Sequence, residues 1–201
     1  MKLAMFGGSF DPIHNGHVQL AEAFTEKLGI DRTLIVPTFI PPHKQKKTTV
    51  TPQQRLDMCR LAFADRDDVE VSDIEIKRQG ASYTYLTLLS LKEMYKGCEL
   101  YLITGADMFM TIHQWKHPEI IFESAVICGV PRNDDDISDL KKQQEYLSEL
   151  GAKSEILDAG IMTVSSTEIR EKISRGESIS ALIPGAVEVY IRENKLYMEA
   201  I

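Results

Sequence analysis

The chain has 201 residues, 43% of them hydrophobic and 26% charged, proportions ordinary for a folded chain of one well-buried domain. Its formal net charge of −7 and pI near 5.3 argue against a general nucleic-acid binder or a membrane-surface protein. No apolar run is long enough to span a bilayer, and glycines and charges stand where a signal peptide would be apolar, so a cytoplasmic protein is expected.

Leu3, Met5 and Phe6 lie in a short apolar run that predicts a buried strand. Gly7-Gly8 is expected to break it, and Asp11-Pro12 marks a turn. From Asn15 the apolar residues Val18, Leu20, Ala21, Phe24 and Leu28 recur at helical spacing, with Asn15 expected as the cap. A helix start after a glycine turn presents unpaired N–H groups and a partial positive charge, a ready site for phosphate. His14 and His17 sit there, one turn apart on one face, and when protonated both can donate to phosphate oxygens. Gly16 between them leaves room for a ligand. Spacing leaves two other readings open: a helix that only happens to carry two histidines, and half a zinc site with no further ligand cluster nearby.

Thr33 to Pro37 predicts a second strand, joined to the first by a βαβ crossover. Pro41 and Pro42 make the next stretch a loop. Its basic end, His43 to Lys47, is either a solvated surface or an arm that folds over phosphates, with Lys44 as point charge. A helix opens at Thr51-Pro52, passes Gln54-Arg55 and ends near Asp65. Val69, Val71, Ile74 and Ile76 imply extended structure through residues 69–76. Gly80 then precedes a helix starting near Ser82 or Tyr83, with Leu86, Leu89 and Met94 facing the core. Its first N–H groups form either an ordinary helix start or a second anion site, competent for a carboxylate.

Leu100 to Thr104 predicts a buried strand that runs into Gly105-Ala106-Asp107. Asp107 either accepts a ribose hydroxyl or caps the next helix. Trp115, the only tryptophan, is either a stacking platform for an aromatic ring or core packing. Ser124 to Val130 predicts a strand, Arg132 to Asp136 a solvated acidic loop, and residues 137–150 a polar helix with Leu140, Leu147 and Leu150 on one side. Ile156-Leu157 would form a short last strand. Ser165-x-x-Glu168 fits a capping box. Hydroxyls, helix N–H groups and Arg170 also converge there in a combination that suits a triphosphate. A final helix is expected over residues 186–193, after Pro184-Gly185. Cys59, Cys98 and Cys128 are odd in number and lack motif spacing, so they read as reduced thiols.

Alternating strands and helices predict an α/β fold: a Rossmann-like, doubly wound, mainly parallel sheet with helices on both faces. A single domain over 1–201 is expected, with a small helical part from about residue 165. Its site should lie at the C-terminal edge of the sheet.

GGSFDPIHNGH resembles the signature of the nucleotidyltransferase superfamily with the His-x-Gly-His motif, which binds the phosphates of a nucleoside triphosphate. Pro41-Pro42-His43-Lys44, Ser82-Tyr83-Thr84, Gly105-Ala106-Asp107 with Trp115, and Ser165-Ser166-Thr167-x-Ile169-Arg170 are similar to stretches of bacterial nicotinate-nucleotide adenylyltransferases. The resemblance covers most of the chain; Ser9 stands where many relatives carry Thr, and both supply a hydroxyl. It implies transfer of AMP from ATP to nicotinate mononucleotide, giving deamido-NAD and pyrophosphate in NAD biosynthesis. It implies that His14, His17 and Arg170 act on the phosphates, and that Gly8, Ser9, Phe10, Gly105, Asp107, Ser166 and Thr167 complete the ATP site. It implies that His43, Lys44, Ser82, Tyr83, Thr84 and Trp115 hold nicotinate mononucleotide. The nucleophile is then the substrate's own phosphate. In-line displacement at the α-phosphorus needs positioning and charge neutralisation, with no covalent enzyme intermediate. Mg²⁺ is expected to accompany ATP, since the sequence offers no all-protein cage for it. Alternatives are another phosphate acceptor, phosphopantetheine or nicotinamide mononucleotide, or a nucleotide sensor without turnover. Neither nucleic acid nor membrane is expected as a partner, and a homodimer is left open.

Overall fold

The first strand, β1 (Lys2–Gly8), sends its side chains alternately into two apolar clusters. Ala4 and Phe6 enter one, Leu3 and Met5 the other, and all four are buried. A parallel strand covered on both faces needs this near-continuous apolar run. The computed structural model describes residues 1–42, 50–131, 136–158 and 160–198. The remaining strands are β2 (Arg32–Pro37), β3 (Val69–Val71), β4 (Glu99–Gly105), β5 (Val126–Val130) and β6 (Ser154–Ile156). They form one sheet in the order β3-β2-β1-β4-β5-β6, every pair parallel. The chain winds outward from β1 one way and then, from β4, the other way. This is the expected Rossmann-like, doubly wound α/β fold, and its switch point lies between β1 and β4.

Helices cover both faces. α1 (Asn15–Leu28), α2 (Pro52–Ala62), α8 (Ser166–Ser174) and α9 (Gly185–Glu193) bury Phe24, Met58, Ile169 and Val187 with Phe6. α4 (Thr84–Met94), α5 (Ala106–Thr111), α6 (Pro118–Ser124) and α7 (Asp136–Glu149) bury Leu88, Phe109, Ile121 and Leu140 with Met5. The cysteines are free, Cys59 and Cys128 buried and Cys98 half-buried. No helix among the described residues is long and apolar enough to cross a membrane.

Several local expectations are corrected. Gly7 and Gly8 do not break β1; they pair with Val36 and Pro37 of β2. What Gly8 supplies is space, because a Cβ there would stand 2.9 Å from the ring of Phe10. Extended structure stops at Val71, and Ile74–Arg78 is a short helix, α3. Ser72-Asp73 interrupts the apolar alternation, and Glu75 is drawn inward by a 2.6 Å hydrogen bond from the Thr87 hydroxyl. That bond also turns α4, so Thr87, Leu88 and Leu91 face the core, while Leu89 and Met94 are exposed and Leu86 only half-buried. On α7, Gln143 is buried, and Leu150, just past the helix end, is exposed. α2 ends at Ala62, not near Asp65. His43 and Lys44, and most of the acidic loop at 132–136, lie outside the described residues.

Candidate active site

After Gly8 the chain turns through Ser9 to Pro12 into α1. Phe10 adopts φ +46° and is 1% exposed. A bulky side chain rarely takes this left-handed conformation. Here the ring is held edge-on to Phe6 at 5.4 Å and to His17 at 5.1 Å.

The cap of α1 is His14, not Asn15; the Asn15 side chain instead donates to the Ala181 carbonyl at 3.1 Å. The two histidines form a reciprocal cap. Nδ1 of His14 accepts from the His17 N–H, and Nδ1 of His17 accepts from the His14 N–H, each at 3.3 Å. Their rings stack at 3.6 Å. Because both Nδ1 atoms accept, the proton of each neutral ring sits on Nε2. Burial pulls the His14 pKa from 6.5 down to about 4. His14 is therefore a neutral donor at pH 7, which corrects the expectation that it serves as a cation. Gly16 does not leave room for a ligand either: a Cβ there would stand 2.7 Å from the Met162 carbonyl. The segment before α8 crosses the start of α1 at this point.

That crossing brings α8 to the same place. Ser165 caps α8 by accepting from the Glu168 N–H at 3.1 Å, the first half of the expected capping box. The Ser166 hydroxyl donates to the Pro12 carbonyl at 2.9 Å. Arg170 donates through Nη1 to the Asp11 carbonyl at 2.7 Å and through Nη2 to Thr167 Oγ1 at 3.1 Å. Ser166 and Arg170 thus join α8 to the turn, Thr167 holds the guanidinium in place, and the first helix N–H groups and the rest of the guanidinium remain as anion donors. The Asp11 carboxylate accepts from the Tyr197 hydroxyl at 2.8 Å, fastening the C-terminal segment to the turn.

Opposite stands the start of α4. Its cap, Tyr83, makes no side-chain hydrogen bond to the helix, which leaves first-turn N–H groups for a ligand. Ser82 is 5% exposed, and its hydroxyl accepts from the Phe39 N–H at 2.9 Å. Trp115 is half-buried; it packs against Leu88's apolar cluster and also lines the cleft. Gly105 ends β4, and Asp107 lies exposed in the first turn of α5, at the C-terminal edge of the sheet.

One cleft of about 610 Å³ collects these groups. Gly8, Ser9, Phe10, His14, His17, Gly105, Asp107, Ser166, Thr167 and Arg170 line it, together with Ser82, Tyr83, Thr84 and Trp115. Every expected site residue within the described segments is present. Sequence reasoning passed over two residues. Lys116 lines the cleft with its Nζ 4.5 Å from the centre of the Tyr83 ring, a cation–π contact. Arg55 is 2% exposed and donates to the Ser9 and Thr38 carbonyls, both at 2.6 Å. Its signal was available, since an arginine three and four residues before the apolar Met58 and Cys59 stands on the buried face of a helix. Among the described residues, no group of three or more His, Cys, Asp or Glu side chains could hold a metal ion.

Comparison with known proteins shows the family and the fold. A family model described as cytidylyltransferase-like matches residues 5–172. A "Probable nicotinate-nucleotide adenylyltransferase" of Clostridium tetani is 39% identical over 197 residues, covering 98% of both chains. One of Dictyoglomus thermophilum is 38% identical over 199 residues, covering 98% of this chain and all of its own. Among solved structures, Plasmodium falciparum nicotinic acid mononucleotide adenylyltransferase complexed with NaAD superposes with a TM-score of 0.79 at 19% identity. That match covers 98% of this chain and 97% of the other, and it speaks for the fold.

Proposed function

The chain belongs to the family of nicotinate-nucleotide adenylyltransferases, and from that premise we propose how its cleft carries out the reaction. ATP gives AMP to nicotinate mononucleotide, and deamido-NAD and pyrophosphate leave. One observation carries this reading: two helix starts with His14, His17 and Arg170 face the start of α4 and Trp115 across a single cleft. One end suits a triphosphate, the other an aromatic ring bearing a carboxylate.

The triphosphate lies along the starts of α1 and α8. The N–H groups at the start of α8 and the two imidazole Nε2–H donors at the start of α1 take the phosphate oxygens, and the Arg170 fork adds the full positive charge. Neutral imidazole donors are preorganised toward the phosphate oxygens and need no counter-ion. Asp107 accepts a ribose hydroxyl of ATP. The pyridine ring stacks on Trp115, and its carboxylate takes the N–H groups at the start of α4. The mononucleotide's phosphate is already anionic, so it attacks the α-phosphorus in line with pyrophosphate as leaving group. No general base is needed.

Apart from Asp107 and the buried Glu75, the cleft's polar groups are neutral or cationic, which fits a Mg²⁺ ion that would be held chiefly by phosphate oxygens and water and would supply charge neutralisation there. The test is pyrophosphate release from ATP with a panel of phosphate acceptors. Nicotinate mononucleotide should support the fastest turnover; faster turnover on phosphopantetheine or nicotinamide mononucleotide would reassign the acceptor, and none on any would leave a nucleotide sensor.

A further inference from the structure

Arg55 sits on the inner face of α2. Its guanidinium donates to three main-chain carbonyls: Nη1 to Ser9 at 2.6 Å, Nη2 to Thr38 at 2.6 Å and to Phe39 at 3.3 Å. Ser9 belongs to the turn that leads from β1 to His14. Thr38 and Phe39 follow β2. The link continues, because the Phe39 N–H donates to Ser82 Oγ and the Ser82 N–H to the Ile40 carbonyl, both at 2.9 Å. Ser82 immediately precedes the cap of α4. One buried cation thus joins the phosphate end of the cleft to its acceptor end through three loops.

Burying a guanidinium is costly unless its hydrogen bonds are made, and an apolar side chain could pack α2 without that cost. Burial pushes the Arg55 pKa down, and the nearby Asp11 carboxylate pushes it back up. A planar fork can reach carbonyls of two separate loops at fixed spacing; a lysine's single ammonium cannot.

We propose that Arg55 is a positioning residue for adenylyl transfer: it sets the distance between the two substrate ends, so that the acceptor phosphate meets the α-phosphorus in line. The proposal rests on the adenylyltransferase reading of the cleft. It accounts for a buried charge that contributes no side chain to either substrate.

The experiment is steady-state deamido-NAD synthesis, with each substrate varied in turn, in wild type, Arg55→Lys, Arg55→Ala, Ser82→Ala and Met58→Ala. Met58, fully buried on the same helix, controls for loosened packing. Arg55→Lys should lower kcat/KM for both substrates about 10²-fold, the scale of a 1 Å misplacement, while Met58→Ala stays within about threefold despite its lower melting temperature. Millimolar guanidinium should restore part of the Arg55→Ala activity. Ser82→Ala cuts the link at the acceptor end, and it should raise KM for ATP as well. Should the Arg55 variants fail to fold, this last measurement decides. A folded Arg55→Lys with near-wild-type kcat/KM, a loss confined to one substrate, an equal loss in Met58→Ala, or an unchanged ATP KM in Ser82→Ala overturns the proposal. An inactive wild type would instead overturn the functional reading.

Discussion

His14→Asn should remove an acid sensitivity built into the start of α1. In the unfolded chain a histidine titrates near 6.5; burial lowers His14 to about 4 in the folded protein. The folded state therefore refuses a proton that the unfolded state accepts. Stability is full above pH 6.5, falls as pH drops through this window, and levels out below pH 4. The gap corresponds to roughly 3 kcal/mol in all, of which about 2 kcal/mol is lost by pH 5. His14 is 5% exposed, so solvent screens little of this. Protonation would also put a second N–H against the His17 N–H that Nδ1 now accepts at 3.3 Å. Asn is a good helix cap and does not titrate. The measurement is urea unfolding of wild type and His14→Asn from pH 7 to pH 4, read as the difference between the two stability curves, in which the shared carboxylates cancel. Wild type should lose about 2 kcal/mol relative to the variant between pH 7 and pH 5. Parallel curves would mean that His14 is not held neutral by burial.

Four further outcomes follow from the cleft. His17→Ala should stay folded and lower turnover by roughly 10²–10³, the usual cost of a lost transition-state donor; kinetics alongside circular dichroism check it, and near-wild-type turnover would remove His17 from the reaction. Arg170→Lys should raise the ATP KM, lower kcat, or both, because a point charge replaces neither the fork nor its bond to the Asp11 carbonyl at 2.7 Å. Wild type should prefer nicotinate over nicotinamide mononucleotide by about 10²–10⁴ in kcat/KM, since an amide NH₂ would leave two donors at the start of α4 unpaired at about 1–3 kcal/mol each. Trp115→Ala should weaken binding of both acceptors and keep that preference; a variant that loses the preference but keeps affinity would assign ring and carboxylate to other residues.

The sequence by itself determined the alternation of strands and helices, the Rossmann-like class and the start of α1. These are local properties: apolar run length, helical periodicity and glycine and proline placement act within a few residues. Motifs distant in sequence were legible as a set because each is a strand end or helix start, and a parallel sheet delivers such points to one edge. Tertiary structure alone decided what touches what. Gly8 and Gly16 read as a break and a ligand space, but the Phe10 ring and the Met162 carbonyl fill those places. α4 turned away from its expected apolar face because Glu75, distant in sequence, accepts from Thr87. His14 carries no charge at neutral pH because of what buries it, and no sequence pattern encodes its surroundings. Spacing could place Arg55 on the buried face of α2, but only the fold brings the Ser9, Thr38 and Phe39 carbonyls around it. Burial and hydrogen-bond partners belong to the folded chain, and on them depend the protonation of the site and the spacing of its two ends.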